Sequence, residues 1–333
     1  MPTRFLSDDL SHRLAASSGP ELMEFVGMQV LLNSPAMRTA VLQARRIAPM
    51  HDPVLITGES GTGKEVLARA IHHFSGLGGQ FVAINCAAFP EHLIESELFG
   101  YEKGAFSGAD STKPGLFETA EQGTLLLDEI GELDPRMQAK LLRVLDGQPY
   151  YRLGGNRKVV PQARIVAATN LDMKLALPTG RFRADLFHRL DVYSIDVPPL
   201  RRRPADIAPL ARFFLESHGL GIADEAIALL MGWSWPGNVR ELRNVISKAA
   251  LSATSMQILG RDLPPEIRFP GKSASLNEFS LELIERRTIL KALDVSSGNQ
   301  QQAANRLGIS RRTLLRKLKT YRELEEPAGE LVA

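Results

Sequence analysis

Residues 54–65 constrain this chain more than any other stretch. The apolar run Val54, Leu55, Ile56, Thr57 leads into Gly58-Glu59-Ser60-Gly61-Thr62-Gly63-Lys64-Glu65, and an amphipathic stretch follows over 65–74. Strand, glycine-rich turn and helix in direct succession are the setting in which backbone N–H groups turn inward around phosphate oxygens. The helix N-terminus adds its dipole, and Lys64 adds a charge for the β- and γ-phosphates. The bland alternative is a Gly-rich turn without a ligand; the register of strand, loop and helix favours the cradle. Gly58 through Glu65 are therefore candidate nucleotide-binding residues. One position departs from the generic pattern: Glu65 stands where a Ser or Thr hydroxyl normally meets Mg²⁺.

Further apolar runs at 81–84, 124–127, 165–168 and 192–197 alternate with helical segments such as 137–145. This alternation predicts an α/β fold over 25–197, a parallel sheet with helices on both faces, preceded by a tail over 1–24. In such sheets ligands sit beyond the carboxyl ends of the strands. The run at 124–127 ends in Asp128-Glu129, a pair suited to a metal-holding Asp128 and a water-activating Glu129. Asn170 ends another run and is placed to touch the γ-phosphate or the attacking water. Asn85 ends a third and is placed to hydrogen-bond Glu129. Either Asn could instead cap a following turn, a reading that competes evenly at Asn85 and less strongly at Asn170. Arg183 and Arg189 would reach a neighbour's γ-phosphate if the chain forms a ring; otherwise they pair with surface acids such as Asp185.

Pro198-Pro199 and Arg201-Arg202-Arg203-Pro204 close this region. Residues 198–263 read as an all-helical lid, with Ile207, Leu210, Phe213 and Phe214 at helical spacing. Within it, Asn238 and Glu241 resemble a capping box, and Arg240 falls in the first turn, facing nucleotide in cis. Residues 264–280 are rich in Pro, Gly and Ser and read as a linker.

The net charge of +2 conceals an asymmetry. Residues 286–320 hold nine Lys/Arg and one Asp, whereas the rest of the chain is mildly acidic, which points to a nucleic-acid partner. Residues 281–325 fit three helices in which Asn299 caps the second and Ser310, after a turn at Gly308-Ile309, caps the third. Small Ala303 and Ala304 allow a close helix crossing, and Leu314, Leu315 and Leu318 supply the buried side. Candidate DNA contacts are Ser310, Arg311, Arg312, Thr313, Arg316, Lys317 and Lys319, a recognition helix for the major groove of double-stranded DNA. A solvated or lipid-facing basic helix is the alternative that the turn and the two alanines disfavour. An apolar fraction of 44% and a charged fraction of 23% exclude a disordered or fibrous chain. No stretch reaches the roughly 18 apolar residues of a membrane span, and the N-terminus lacks a signal-peptide core. The single cysteine, Cys86, excludes an internal disulfide and a typical structural zinc site. A reducing cytoplasm is the expected compartment.

Residues 97–109, Glu-Leu-Phe-Gly-Tyr-Glu-Lys-Gly-Ala-Phe-Ser-Gly-Ala, resemble the signature loop of bacterial enhancer-binding proteins, the AAA+ ATPases that activate sigma-54 RNA polymerase. The resemblance extends over residues 25–323 through GESGTGKE at 58–65, GTLLLDEIGEL at 123–133, FRADLFHRL at 182–190, WPGNVRELRN at 235–244 and a Fis-type helix-turn-helix. It implies an AAA+ P-loop domain, a helical lid and a C-terminal all-α DNA-binding domain. It also implies that Glu65 is normal, that Asn85 switches Glu129, that Asn170 and Arg240 are sensors I and II, and that Arg183 and Arg189 act in trans. Gly104, Ala105, Phe106, Ser107, Gly108 and Ala109 would then touch sigma-54, with Ser107 in place of the usual Thr. Two glycines flanking an aromatic independently suit a mobile segment that presents Phe106. The expected protein is an ATP- and Mg²⁺-dependent activator, by analogy a hexamer, acting on the sigma-54 RNA polymerase holoenzyme from DNA upstream of the promoter. A regulator of other promoters using ATP only for assembly, or a different AAA+ machine, are the competing readings. With about 24 residues before the ATPase region, too few for a receiver or ligand-sensing domain, control is expected from a separate protein, from expression level, or not at all.

Overall fold

The computed structural model describes residues 19–269, 299–311, 313–315 and 317–318, with Glu285, Thr288, Ile289, Ala292 and Ser296. The chain divides into two units, residues 1–263 and 264–333.

The first unit opens with a hairpin, β1 (Glu21–Phe25) and β2 (Met28–Leu32). The stretch read as a tail therefore ends earlier, because Phe25 and Leu32 are buried and fix the hairpin against the sheet's helices. Helix α1 (Pro35–Ile47) follows, capped by Ser34 and started by its proline. Then come β3 (Val54–Thr57), α2 (Lys64–Ser75), β4 (Phe81–Asn85), α3 (Glu91–Phe99), β5 (Thr124–Asp128) and α4 (Pro135–Leu145). The series ends with β6 (Arg164–Thr169), α5 (Ala184–Leu190) and β7 (Tyr193–Asp196). The five runs predicted as strands form one sheet in the order β7-β3-β6-β5-β4, every pair parallel. Side chains alternate across it. Leu55, Leu125, Leu127 and Ile165 pack with α3, α4 and α5 on one face; Val54, Ile56, Leu126 and Val166 pack with α1 and α2 on the other. Burial on both faces is why these strands read as continuous apolar runs.

The lid comprises α6 (Ile207–Glu216), α7 (Asp224–Met231) and α8 (Asn238–Ser252). It is not wholly helical: Gly221–Ile222 and Gln257–Ile258 form a short parallel pair, with Ile258 fully buried. Two excursions leave the sheet, a pairing of Gly100–Tyr101 with Lys113–Pro114 and one of Tyr150–Tyr151 with Lys158–Val159.

In the second unit, α9 (Gln300–Arg306) is capped by Asn299, whose side chain accepts from the N–H groups of Gln301 and Gln302. Gly308 takes φ +66°, and the Ser310 hydroxyl accepts from the Thr313 N–H at 3.1 Å, starting the next helical segment as predicted. Ile289, Ala303, Ala304 and Leu314 form the core, with Leu318 against it. Leu315, expected on the buried side, is 42% exposed, since it follows Leu314 and one helical step turns it outward. Of the stretch 264–280 read as a linker, Pro265–Arg268 instead forms a short helix with Ile267 buried, and 270–280 lie outside the described residues.

Candidate functional site

The carboxyl ends of β3, β4, β5 and β6 bring Lys64, Asn85, Asp128, Glu129 and Asn170 to one edge of the sheet. Lys64 is buried; its Nζ donates to the carbonyls of Gly58 at 2.9 Å and Glu59 at 3.4 Å, and lies 3.5 Å from Glu129 Oε1. The Asn170 backbone N–H donates to Glu129 Oε2 at 3.2 Å. Glu129 is held with φ +52°, a left-handed backbone that costs a non-glycine residue energy and aims its carboxylate back over the loop. Asp128 accepts from the Glu129 N–H at 3.0 Å. Burial first, then the Glu129 charge, push the Asp128 carboxyl above its ordinary value.

Asn85 pairs in register with Asp128, yet its side chain accepts from the Ala87 N–H at 2.9 Å. It caps the turn that follows its strand, and the expected contact with Glu129 is not made. Cys86, next to it, is buried, and burial first, then Asp128 and Glu129, push its thiol up to about 12, which disfavours the thiolate. Glu65 accepts from Arg69 at 2.7 Å, while Arg69 also donates to the Val26 carbonyl at the hairpin turn. Sequence reasoning missed that tie, which draws the Glu65 carboxylate onto its own helix.

The lid closes over the loop. Arg240 Nη1 donates to Ser60 Oγ at 2.8 Å, placing the first turn of α8 where the sequence predicted. The capping box is corrected. Asn238 sits inside the helix start with φ +52°; its Oδ1 accepts from the Leu200 N–H, and Gly237 holds the cap position. Glu241 does reach back, but to the Gly237 N–H at 2.7 Å. Glu59 is bound by Arg201 through two bonds and by Asn238 at 3.1 Å, and the Arg201 bonds first hold its carboxyl down to about 2. Arg201 and Arg203, read only as a boundary run, therefore both reach the loop. A cleft of about 790 Å³ runs from Gly63 and Lys64 to Met28 on the hairpin and Phe213 and Phe214 on α6. Those two phenylalanines are only partly buried because they wall this cleft.

Arg183 and Arg189 are exposed at opposite ends of α5. Arg183 pairs with Asp185 at 2.7 Å, and Arg189 lies 3.3 Å from Asp146 and donates to the Leu145 carbonyl. Within one chain neither arginine joins the nucleotide residues. The loop at 104–109 has Gly104 at φ +85° and Gly108 at φ +98°, conformations glycine adopts without strain. Ala109 is buried, Ser107 is exposed, and Phe106, 42% exposed, leans edge-on against Tyr101. Its base is braced by Arg152, which bonds Glu102 at 3.1 Å and Glu118 at 2.6 Å.

Among the DNA-contact candidates, Ser310 is spent on capping, Arg311 is exposed, Thr313 is partly buried and Lys317 pairs with Glu285 at 2.7 Å. Arg312, Arg316 and Lys319 lie outside the described residues.

A parallel sheet with a P-loop, an acidic strand end and a helical lid over the loop defines an ATPase of the AAA+ class. Residues 30–196 match the family described as Sigma-54 interaction domain, 201–278 the AAA+ ATPase lid domain, and 280–321 the bacterial regulatory proteins of the Fis family. The chain is 47% identical over 310 residues to regulatory protein AtoC of Escherichia coli K12, covering 88% of this chain and 67% of that protein. It is 43% identical over 325 residues to transcriptional regulatory protein ZraR of Klebsiella oxytoca, covering 94% and 73%. It superposes on NtrX of Brucella abortus in complex with ADP with a TM-score of 0.66 and 34% identity, covering 87% of this chain and 69% of that one. The chain thus spans about two thirds to three quarters of these relatives. It belongs to the sigma-54-dependent transcription activators: an ATPase joined to a Fis-type helix-turn-helix, with sigma-54 and DNA as partners.

Proposed function

We propose that the carboxyl edge of the sheet hydrolyses ATP by in-line attack of water on the γ-phosphate and that the cycle drives the 104–109 loop against sigma-54. The observation that carries this reading is the convergence of two groups on the Glu129 carboxylate beside the loop, Lys64 Nζ at 3.5 Å and the Asn170 backbone N–H at 3.2 Å. Residues 58–65 and Arg240 hold the nucleotide. Glu129 takes the proton from the attacking water, and Asn170 orients that water or the γ-phosphate. Asn85 sits beside Asp128 with its side chain on a local turn, and to switch Glu129 it must leave that turn.

Asp128 fits Mg²⁺. It is a partly buried carboxylate whose charge is disfavoured by burial and by its neighbour, which a dication relieves. Mg²⁺ is ordinarily held by one or two carboxylates together with phosphates and water. Among the described residues no group of three His, Cys, Asp or Glu gathers to cage a metal. Bound there, Mg²⁺ supplies counter-charge to the phosphates.

Assembly completes the site. Arg183 and Arg189 are exposed and away from their own nucleotide loop, which suits delivery to a neighbour in a ring, taken as a hexamer. Domain limits follow the sequence reading, with the ATPase part beginning at the hairpin rather than at residue 25. No helix among the described residues is long and apolar enough to cross a membrane. A DNA-bound activator of polymerase acts in the cytoplasm.

The test is transcription in vitro from a sigma-54 promoter. ATP-dependent open complexes are expected with the intact chain and none with Lys64→Ala; open complexes surviving that change would end the proposal. For the fingers, subunits carrying Arg183→Ala mixed with subunits carrying Glu129→Ala should regain part of the lost hydrolysis, because some interfaces then combine an intact Arg183 with an intact Glu129. No recovery at any mixing ratio means that Arg183 does not act in trans.

A further inference from the structure

Three successive carbonyls of the phosphate loop are gripped from outside the sheet. Asn238 Nδ2 donates to Ser60 O at 3.0 Å, the Val239 N–H to Gly61 O at 3.0 Å, and Arg203 Nη2 to Thr62 O at 2.5 Å. In a planar trans peptide the carbonyl points opposite to the N–H of the following residue. Drawing carbonyls 60, 61 and 62 toward the lid therefore turns the N–H groups of Gly61, Thr62 and Gly63 away from it. Those are groups a P-loop offers to phosphates. The Thr62 N–H makes only a long turn bond, 3.4 Å, to the Glu59 carbonyl.

The donors are built for this task. Arg203 is buried with its side chain 4% exposed, and its Nε has no hydrogen-bond partner among the described residues. It lines the nucleotide cleft beside Thr62 and Lys64. A buried guanidinium with an unused N–H is costly, so its retention against the loop calls for a purpose. Asp206 anchors it at 3.5 Å and is itself fixed by the Ser34 N–H at 2.6 Å and the Ser34 hydroxyl at 2.7 Å. Asn238 takes the left-handed backbone that asparagine tolerates, and its Oδ1 is occupied by the Leu200 N–H at 2.7 Å, leaving Nδ2 for the loop. Gly61 permits the close approach: a Cβ there would lie 2.5 Å from the Gly237 carbonyl.

We propose that the lid shapes the phosphate cradle, with Arg203 and Asn238 as positioning residues that aim loop N–H groups at the polyphosphate of the nucleotide. This rests on the reading of residues 58–65 as the nucleotide loop. When the lid is seated, the cradle is formed before phosphate arrives. Displacement of the lid releases three carbonyls together and lets their peptide planes turn. Affinity for the phosphates then depends on lid position, whereas affinity for the nucleoside does not pass through these peptides.

The test is equilibrium binding to the full chain of N-methylanthraniloyl ADP and of adenosine bearing the same fluorophore. Arg203→Met, which keeps the buried stem and removes the donors, is expected to weaken ADP binding roughly tenfold, the scale of one charged hydrogen bond, with adenosine changed less than about twofold. Arg203→Lys should recover part of the loss. Asn238→Gly keeps the left-handed backbone and adds no charge beside Glu59 but removes the donors to the Ser60 carbonyl and to Glu59 Oε2, so it should weaken ADP in the same selective way. It decides the matter if Arg203→Met does not fold. Equal losses for both ligands, or no loss for either, overturn the proposal. A wild-type chain that binds ADP no better than adenosine would instead overturn the nucleotide-loop reading beneath it.

Discussion

Glu129→Gln is expected to slow ATP hydrolysis by about 10²–10⁴-fold, the usual contribution of a general base, while ATP still binds. The amide is nearly isosteric with the carboxylate and retains an oxygen to accept the Asn170 N–H, so the local geometry survives. What disappears is the group that receives the water proton, together with the negative charge 3.5 Å from Lys64. Phosphate release measured beside equilibrium nucleotide binding separates these effects. Hydrolysis within tenfold of wild type would remove Glu129 from its role. Lost binding alongside lost hydrolysis would make it a structural support of the loop.

Phe106→Ala is the second large effect, and it falls on the other half of the coupling. Phe106 is 42% exposed at the tip of a glycine-flanked loop and, among the described residues, its one ring contact is with Tyr101. Its removal opens no core cavity, and hydrolysis should stay within about twofold of wild type, since surface changes are usually small in energy. Truncating a central aromatic anchor of an interface costs roughly 2 kcal/mol or more, about a 30-fold loss of partner affinity. Open-complex formation should fall at least that far. Hydrolysis and activation read on the same preparation decide between outcomes. Joint loss would make Phe106 part of the fold, and retained activation would move the sigma-54 contact elsewhere.

The sheet was legible in the sequence because a parallel strand covered on both faces must be apolar along its whole length. Val54–Thr57 reads so plainly that its limits agree to the residue. The loop and the acidic strand end were legible for the same local reason: phosphate binding needs particular residues at adjacent positions. Contacts made across the chain were not. Arg203 meets Thr62 at a separation of 141 residues, and Asn238 meets Ser60 at 178; no local periodicity encodes either. Asn238 and Glu241 have the spacing of a capping box, but the left-handed backbone at Asn238 gives its side chain to the P-loop and to Leu200. The hairpin Glu21–Leu32 was missed because its strands are short and its alternation is blurred, with Glu21 on the more buried side and Leu22 on the exposed one. Arg152 carried no motif at all; its role appears only once Glu102 and Glu118 are brought beside it.

Lys64 has one further consequence. Its ammonium is already satisfied, resting on the Gly58 and Glu59 carbonyls near Glu129. An arriving phosphate therefore takes over a donor that is in use, and a departing one returns it. Such an exchange yields only the difference between two sets of charged contacts, so the loop grips and lets go near energetic balance. A motor that must discard ADP each cycle benefits from a lysine that is never left stranded when its ligand leaves.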